Sequence, residues 1–348
     1  MKRWYETPGP QQEAVLSSCV RVSRSLRGIP FPDGLDADGK RTVVQKLHDA
    51  VFNENSAVSH EFRFLDLAGL KSDEAVALAE RGVLKAEFAE NRGGRCLLVS
   101  GDESQSIMAN GEDHFLIQVR SPGLSLKEAY AAADRLDTIL DKSLHFAYDG
   151  RLGYLTCNPA ILGTGMVASL NLHLPALADT GATARIAFNL RPLGITLGSA
   201  MQPHGSVYRL SNRMTLGLSE QAAVTNLCGI ARQIIEQECD ARKKLIRNIT
   251  VQDTVGRSLG IFRSARLLSY DEFLDLASIV RFGIASGFVK GYGVEDVDGL
   301  IMRVQPANLV LKAGVRLTED EERAMRAQVV REAFSEQRRG RDGREGNG

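Results

Sequence analysis

The residues able to do acid–base or anion chemistry gather in a few short segments of this chain. NGEDH at 110–114 sets Glu112, Asp113 and His114 in a row, and SSCVRVSR at 17–24 carries Arg21 and Arg24. A carboxylate in such a segment could shuttle a proton, and guanidinium forks could grip phosphate oxygens in pairs. Each also has a plainer use. Glu112 could serve as a structural hydrogen-bond acceptor, and Arg21 could pair with a nearby acid. The GTG triplet at 163–165 could persist for backbone shape alone, because glycine adopts conformations other residues resist. His114 and His173 sit beside apolar neighbours and read as satisfied core or rim histidines. Cys157 reads as a buried, inert thiol. The five cysteines (Cys19, Cys96, Cys157, Cys228 and Cys239) form no CxxC pair, so they read as reduced thiols and not as a metal or disulfide framework. No metal site is expected.

The elements that must position these groups alternate in kind. KRTVVQKLHDAVFNE repeats Val43, Val44, Leu47, Ala50 and Val51 at helical spacing, and SDEAVALAER from Ser72 predicts a second helix. From about Gly94 the texture changes to strands: RCLLVSG, SQSIMAN and HFLIQVRS are short apolar runs bounded by turn formers. The long helix SLKEAYAAADRLDTILDKSL follows. Strands are then predicted at RLGYLTC, MVASLNLHL, LGITL and SVYRLSN, and a second long helix begins at SEQAAV. Helices DEFLDLASIVRFGIASG and TEDEERAMRAQVVREAFSEQ come last. The first ten residues read as a loose arm, and RRGRDGREGNG as a disordered, solvated tail. Irregular spacing without repeated βαβ units favours α+β with a mainly antiparallel sheet flanked by helices.

Bulk composition bounds the function classes. Lysine plus arginine and aspartate plus glutamate both total 43 among 348 residues, so no net field points to nucleic acid or an anionic membrane. MKRWYETPGPQQEAV has no apolar run to make a signal peptide, and no stretch nears 18 continuous apolar residues. A cytoplasmic protein is the expectation.

Five blocks, in this order, resemble the ATP:guanido phosphotransferase family, most closely its bacterial protein arginine kinase branch. They are SSCVRVSRSLRGIPFP (17–32), NGEDHFLIQV (110–119), GYLTCNPAILGTGMVASLNLHLPAL (153–177), GSVYRLSNRMTLGLSEQ (205–221) and IIEQECDARKKL (234–245). The resemblance implies a small helical N-terminal domain over 1–90 and a larger phosphotransferase-like domain over 91–310. A C-terminal helical segment at 311–335 and the tail at 336–348 complete the expected division. It further implies chemistry with ATP and magnesium if the chain is active.

That chemistry needs an arginine cluster against the triphosphate and two carboxylates to position the guanidinium and draw off its proton. Carried over position by position, the resemblance places Glu112 on a catalytic carboxylate and Arg21 on a phosphate arginine. Nearby Arg24 is a further candidate for phosphate. Cys19, Leu116 and Val167 fall where the family has phosphate arginines, and Asn158 falls on its reactive cysteine. The stretch 193–207, LGITLGSAMQPHGSV, replaces a loop that should bring the last arginine and the second carboxylate, and it has neither. Glu322, Arg323, Ala324, Met325, Arg326 and Ala327 depart from the branch's phosphoarginine-docking element and read as a charged amphipathic helix.

Each charge-assisted phosphate contact contributes about 1.5–3 kcal/mol, while micromolar ATP affinity amounts to only about 8 kcal/mol. The expectation is a pseudoenzyme that acts by binding. Its expected partners are an active arginine kinase, its activator or a protein-quality-control machine, and it is expected to self-associate. The alternative is an active kinase with a rearranged site.

Overall fold

The computed structural model describes residues 2–53, 58–201 and 204–335. In chain order the strands are β1 (Val15–Arg24), β2 (Phe62–Asp66), β3 (Cys96–Ser100), β4 (Gln105–Ala109) and β5 (Phe115–Pro122). They continue as β6 (Tyr148–Asp149), β7 (Gly153–Tyr154), β8 (Met166–His173), β9 (Ile195–Ser199) and β10 (Val207–Asn212). The helices are α1 (Ala37–Phe52), α2 (Ser72–Glu80), α3 (Ala86–Glu90), α4 (Leu126–Leu144), α5 (Pro175–Asp179) and α6 (Ala182–Leu190). After them come α7 (Glu220–Leu245), α8 (Ile249–Ser264), α9 (Tyr270–Ala285), α10 (Val294–Arg303), α11 (Pro306–Ala313) and α12 (Glu319–Ala333).

Eight strands form one sheet in the order β2-β3-β4-β5-β1-β8-β10-β9, with each neighbouring pair antiparallel. The expected α+β class holds. One sheet face is closed by apolar residues from α1, α4 and α7, where Val20, Val22, Ile117, Leu170 and Leu210 meet Leu136, Leu140 and Leu227. At the β2–β4 end the opposite face is covered by α2 and α3 through Leu78 and Phe88 against Leu97, Val99 and Met108. Over β1, β8 and β10 that second face carries polar residues.

The division of the chain differs from the expected one. Residues 1–90 do not stand apart as a helical unit, because β1 lies between β5 and β8 and β2 forms a sheet edge. An eight-stranded sheet cannot close its backbone hydrogen bonds without them. The helical C-terminal unit also begins earlier than residue 311. Helices α8 to α12 share their own core, with Phe262 stacked on Phe273 at 5.7 Å and edge-on to Phe334 at 5.2 Å. The N-terminal arm is docked as well: Trp4 and Tyr5 are buried in a short 3-10 turn, Trp4–Glu6, against β5 and α10. The RLGYLTC run yields only the two-residue β7, and the tail at 336–348 lies outside the described residues.

Arg281 on α9 fastens the C-terminal unit to the sheet. Its guanidinium is 1% exposed and donates to both carboxylate oxygens of Asp298, at 2.7 and 3.0 Å. It also donates to the carbonyls of Gln12 at 2.6 Å and Glu13 at 3.1 Å, and to His173 Nδ1 at 3.3 Å. A second fastening is Glu80, whose carboxylate accepts from the first free amides of α11, at Ala307 (2.9 Å) and Asn308 (3.1 Å). Arg281→Ala strands the Asp298 charge and two buried carbonyls. It is expected to cost about 3–5 kcal/mol in urea unfolding, an effect that Arg257→Ala on the exposed face of α8 does not share.

Candidate functional site

The side chains of a strand alternate between faces, so β1 sorts its residues strictly. Val20, Val22 and Arg24 face the helices; Ser17, Cys19, Arg21 and Ser23 face the open side. Pairing across the sheet then assembles a second set. Cys19 stands opposite Arg120 of β5 and Ser169 of β8. Arg21 stands opposite Gln118 and Val167, and Ser23 opposite Leu116. On the next strands Arg209 of β10 stands opposite Asn171 and Gly198. The positions read from the sequence as emptied phosphate contacts (Cys19, Leu116, Val167 and the loop beginning near Gly198) therefore lie on one face with Arg21. Leu116 packs against the α2–α3 cluster.

Arg24 does not join them. It lies 2% exposed on the helix-facing side, where its Nη2 donates to Asp137 of α4 at 2.7 Å. Its Nη1 donates to the carbonyls of Thr164 (2.9 Å) and Ser23 (3.0 Å), and its guanidinium lies 3.4 Å over the Tyr154 ring. The fork is spent inside the fold, so the phosphate contact expected of Arg24 is corrected to a structural one. Burial pushes the Asp137 carboxyl up against the opposing pull of Arg24.

The GTG turn is built around the same arginine. Gly163 and Gly165 hold φ of 108° and 61°, and a Cβ on Gly165 would sit 2.7 Å from the Ser23 carbonyl. The triplet thus serves backbone shape, as its plainer reading had it.

In the NGEDH segment three residues are tied into the fold and one is not. Asn110 donates to the carbonyls of Gly94 (2.7 Å) and Lys40 (3.0 Å). Asp113 accepts from Ser25 Oγ at 3.0 Å and the Cys157 amide at 2.8 Å. His114 Nδ1 accepts from the Leu26 amide at 3.1 Å, and its Nε2 donates to the Pro30 carbonyl at 2.9 Å. Glu112 alone is exposed and has no hydrogen bond or ion pair among the described residues. Cys157 is exposed rather than buried, and its thiol pKa is raised by burial of the sulfur and then by Asp113, Asp33 and Glu112. An electronegative setting of this kind disfavours a reactive thiolate.

His173 is a core residue, with Nε2 2.9 Å from Ser278 Oγ. In the C-terminal unit Arg326 is 1% exposed. It donates to the carbonyls of Val304 (2.9 Å) and Leu268 (3.1 Å) and to Glu322, so it is an internal brace and not part of a solvated face.

Two arginines that sequence reasoning passed over complete the open face. Arg120 and Arg209 share a small niche with Arg21 and Cys19, and no acidic residue lines it. Burial, ahead of the charges of Arg21 and Arg209, lowers the Arg120 pKa. Burial and then Arg21 do the same to Arg209. Arg120 lies four residues beyond Leu116 on β5, hence on the same face, but only the β1–β5 register shows that it reaches Cys19.

These residues do not fit magnesium–ATP well: the niche holds no carboxylate to accept the metal's water shell, and Leu116 and Val167 present apolar surface. Among the described residues, no group of three or more His, Cys, Asp or Glu could hold a metal ion. The stretch after β9 is braced instead to α9, where the Gly205 amide donates to Asp275 at 3.0 Å and the Ser206 amide to Ser278 at 3.2 Å.

The sheet and its helices define a guanidino kinase fold. The chain resembles the duplicated taurocyamine kinase of Schistosoma mansoni with bound transition-state-analog components, at a TM-score of 0.59 and 22% identity. That match covers 75% of this chain and 38% of the duplicated one. Lombricine kinase matches with a TM-score of 0.58 and 21% identity, over 65% of this chain and 66% of its own.

Family models refine the class. Residues 42–241 match the ATP:guanido phosphotransferase C-terminal catalytic domain, and residues 248–344 match the protein-arginine kinase McsB C-terminal domain. The protein-arginine kinase of Clostridium novyi (strain NT) is 34% identical over 344 residues, 96% of this chain and 98% of that one. That of Syntrophomonas wolfei is 37% identical over 329 residues, 92% of each. The chain belongs to the ATP:guanido phosphotransferase family and is protein-arginine-kinase-like along nearly its whole length. The boundary between the two matched models, at 241–248, falls where the second helical core begins.

Two outcomes test this assignment of roles. Arg24→Gln leaves Asp137 buried without its cation and is expected to cost about 3–5 kcal/mol of stability while leaving anion affinity unchanged. Burial, then Arg281 and Arg242, depress the His173 pKa, and burial depresses that of His114. Below about pH 6.5 the unfolded chain therefore takes up protons that the folded one refuses. The histidine contribution to stability is present above that pH and is lost as pH falls below it. Urea midpoints measured downward from pH 7.5 should decline, and His173→Gln should flatten the decline.

Proposed function

We propose that this protein is a catalytically impaired relative of the protein arginine kinases that acts by binding. One observation carries the reading. The open face that the family resemblance assigns to phosphate and guanidinium presents Cys19, Leu116 and Val167 where phosphate arginines are expected, with Glu112 as its sole carried-over carboxylate. A lone carboxylate can attract a guanidinium but cannot hold it between two groups and take its proton in a fixed geometry.

Binding partners consistent with this reading are an active arginine kinase, its activator or a protein-quality-control machine. Self-association follows from the family likeness and would show as a dimer or larger species in light scattering. A cytoplasmic setting is part of the same proposal. Among the described residues no helix is long and apolar enough to cross a membrane.

The competing reading, an active kinase with a rearranged site, draws its support from Arg120 and Arg209 beside Arg21. Calorimetry separates the two. Magnesium–ATP is expected to bind with a dissociation constant weaker than about 10 µM, equivalent to less than roughly 7 kcal/mol. Tighter binding, or phosphoarginine formation abolished by Glu112→Gln, would overturn the proposal.

Restoration is the complementary test. Cys19→Arg alone places a further guanidinium beside Arg21 and Arg120 and should destabilise the fold. Cys19→Arg, Leu116→Arg and Val167→Arg together, with an arginine- and glutamate-bearing loop grafted over 198–205, should recover ATP binding first, because such parts act as a unit.

A further inference from the structure

We propose that the open face of the sheet carries a site for a tetrahedral oxyanion, a phosphate or phosphoryl group, formed by Arg21, Arg120 and Arg209 around Cys19. This goes beyond the loss of kinase chemistry. Two of the three arginines occupy positions that the family resemblance did not supply, and the site stands whether or not the chain transfers phosphate.

The register arranges the three as a staircase across the sheet. Arg120 on β5 is level with Cys19 on β1. Arg21 lies two residues along β1, and Arg209, on β10, is level with Ser17, two residues the other way. All three line one niche.

Their unmet bonding potential points into it. Arg21 uses Nε on Gln118 Oε1 at 2.8 Å, and Arg209 uses Nε on Asn171 Oδ1 at 3.4 Å. Neither engages its terminal nitrogens with any described residue. Arg120 has no side-chain hydrogen bond among the described residues, and its Nε is buried without a partner. None of the three forms an ion pair within the described chain. Three guanidiniums converging on one buried thiol repel one another, and the fold supplies no counter-charge. Such an arrangement is stabilised by an anion from solution.

The geometry selects the anion. A carboxylate is satisfied by one fork in one plane, whereas three forks from three strands match oxygens that diverge tetrahedrally. Ser17 Oγ, which accepts from Asn171 Nδ2 at 3.2 Å, keeps its own proton to donate to a fourth oxygen.

The test uses the full chain in phosphate-free buffer, with inorganic phosphate as one titrant and ATP without metal as the other. Phosphate is expected to bind and to raise the unfolding midpoint. Arg120→Gln with Arg209→Gln should weaken phosphate binding at least about tenfold and abolish the rise in midpoint. With phosphate absent, that variant should unfold at a higher temperature than the parent, because repulsion has been removed. Arg257→Gln on α8 should change nothing. If the double variant does not fold, Arg120→Lys and Arg209→Lys, which keep the charge and lose the fork, should each weaken binding.

ATP binding far tighter than phosphate, and equally sensitive to the double variant, would uphold the site and identify nucleotide as the source of its phosphoryl group. That result would sink the weak-nucleotide reading above while leaving this one standing. Absence of phosphate binding, or affinity unchanged in every arginine variant, overturns the site.

Discussion

Everything in this molecule is arranged around the two-residue alternation of β1. The strand sits fourth from one sheet edge and fifth from the other, hydrogen-bonded on both sides. One of its faces must therefore close the main core, and Val20 and Val22 do so at 0% and 4% exposure. Its other face is left to Ser17, Cys19, Arg21 and Ser23. A slip of one residue would bury Arg21 against α4 and turn Val20 into the niche, so core and site share a single register. Arg24 shows the cost of standing on the wrong side of that rule: it is a cation in the core, tolerable because Asp137, two carbonyls and an aromatic face surround it.

The C-terminal helices act on the same face from its rim. Arg281 holds the carbonyls just before β1, and Asp275 and Ser278 of α9 hold the chain entering β10. The segment in which the family resemblance leads one to expect a catalytic carboxylate thus ends in contacts that position backbone. Its chemistry is gone, and its anchorage to α9 remains.

Much of the fold was legible from residue pattern. The strands from Cys96 to Pro122, the long helices and the antiparallel class follow from periodicity and turn formers. β1 was not legible in this way, because half its residues are polar for the sake of the open face, and SSCVRVSR lacks the apolar run that signals a central strand. The early start of the C-terminal helical unit was hidden for a related reason. α8 is built from ITVQDTVGRSLGIFRS, whose only fully buried anchors are Val255 and Phe262. Of the candidate site, Arg21 and the replaced positions could be placed by resemblance, since that requires only collinearity. Arg120 and Arg209 could not, because their meeting depends on which residue faces which across three strands. Arg24 was misjudged on proximity in sequence, where three residues along a strand change the face.

The central place of β1 also sets the order in which the chain can acquire structure as it is synthesised. Its partners arrive late: Cys19 pairs with Arg120 roughly 100 residues on and with Ser169 roughly 150 residues on. At ribosomal speeds of about 5–20 residues per second, β1 waits on the order of 8–30 s with both edges unpaired. An apolar strand left so long would template aggregation, but serines and an arginine on one face make β1 a poor template. The polar face that gives the folded protein its cleft is also what keeps its earliest strand soluble until the sheet closes around it.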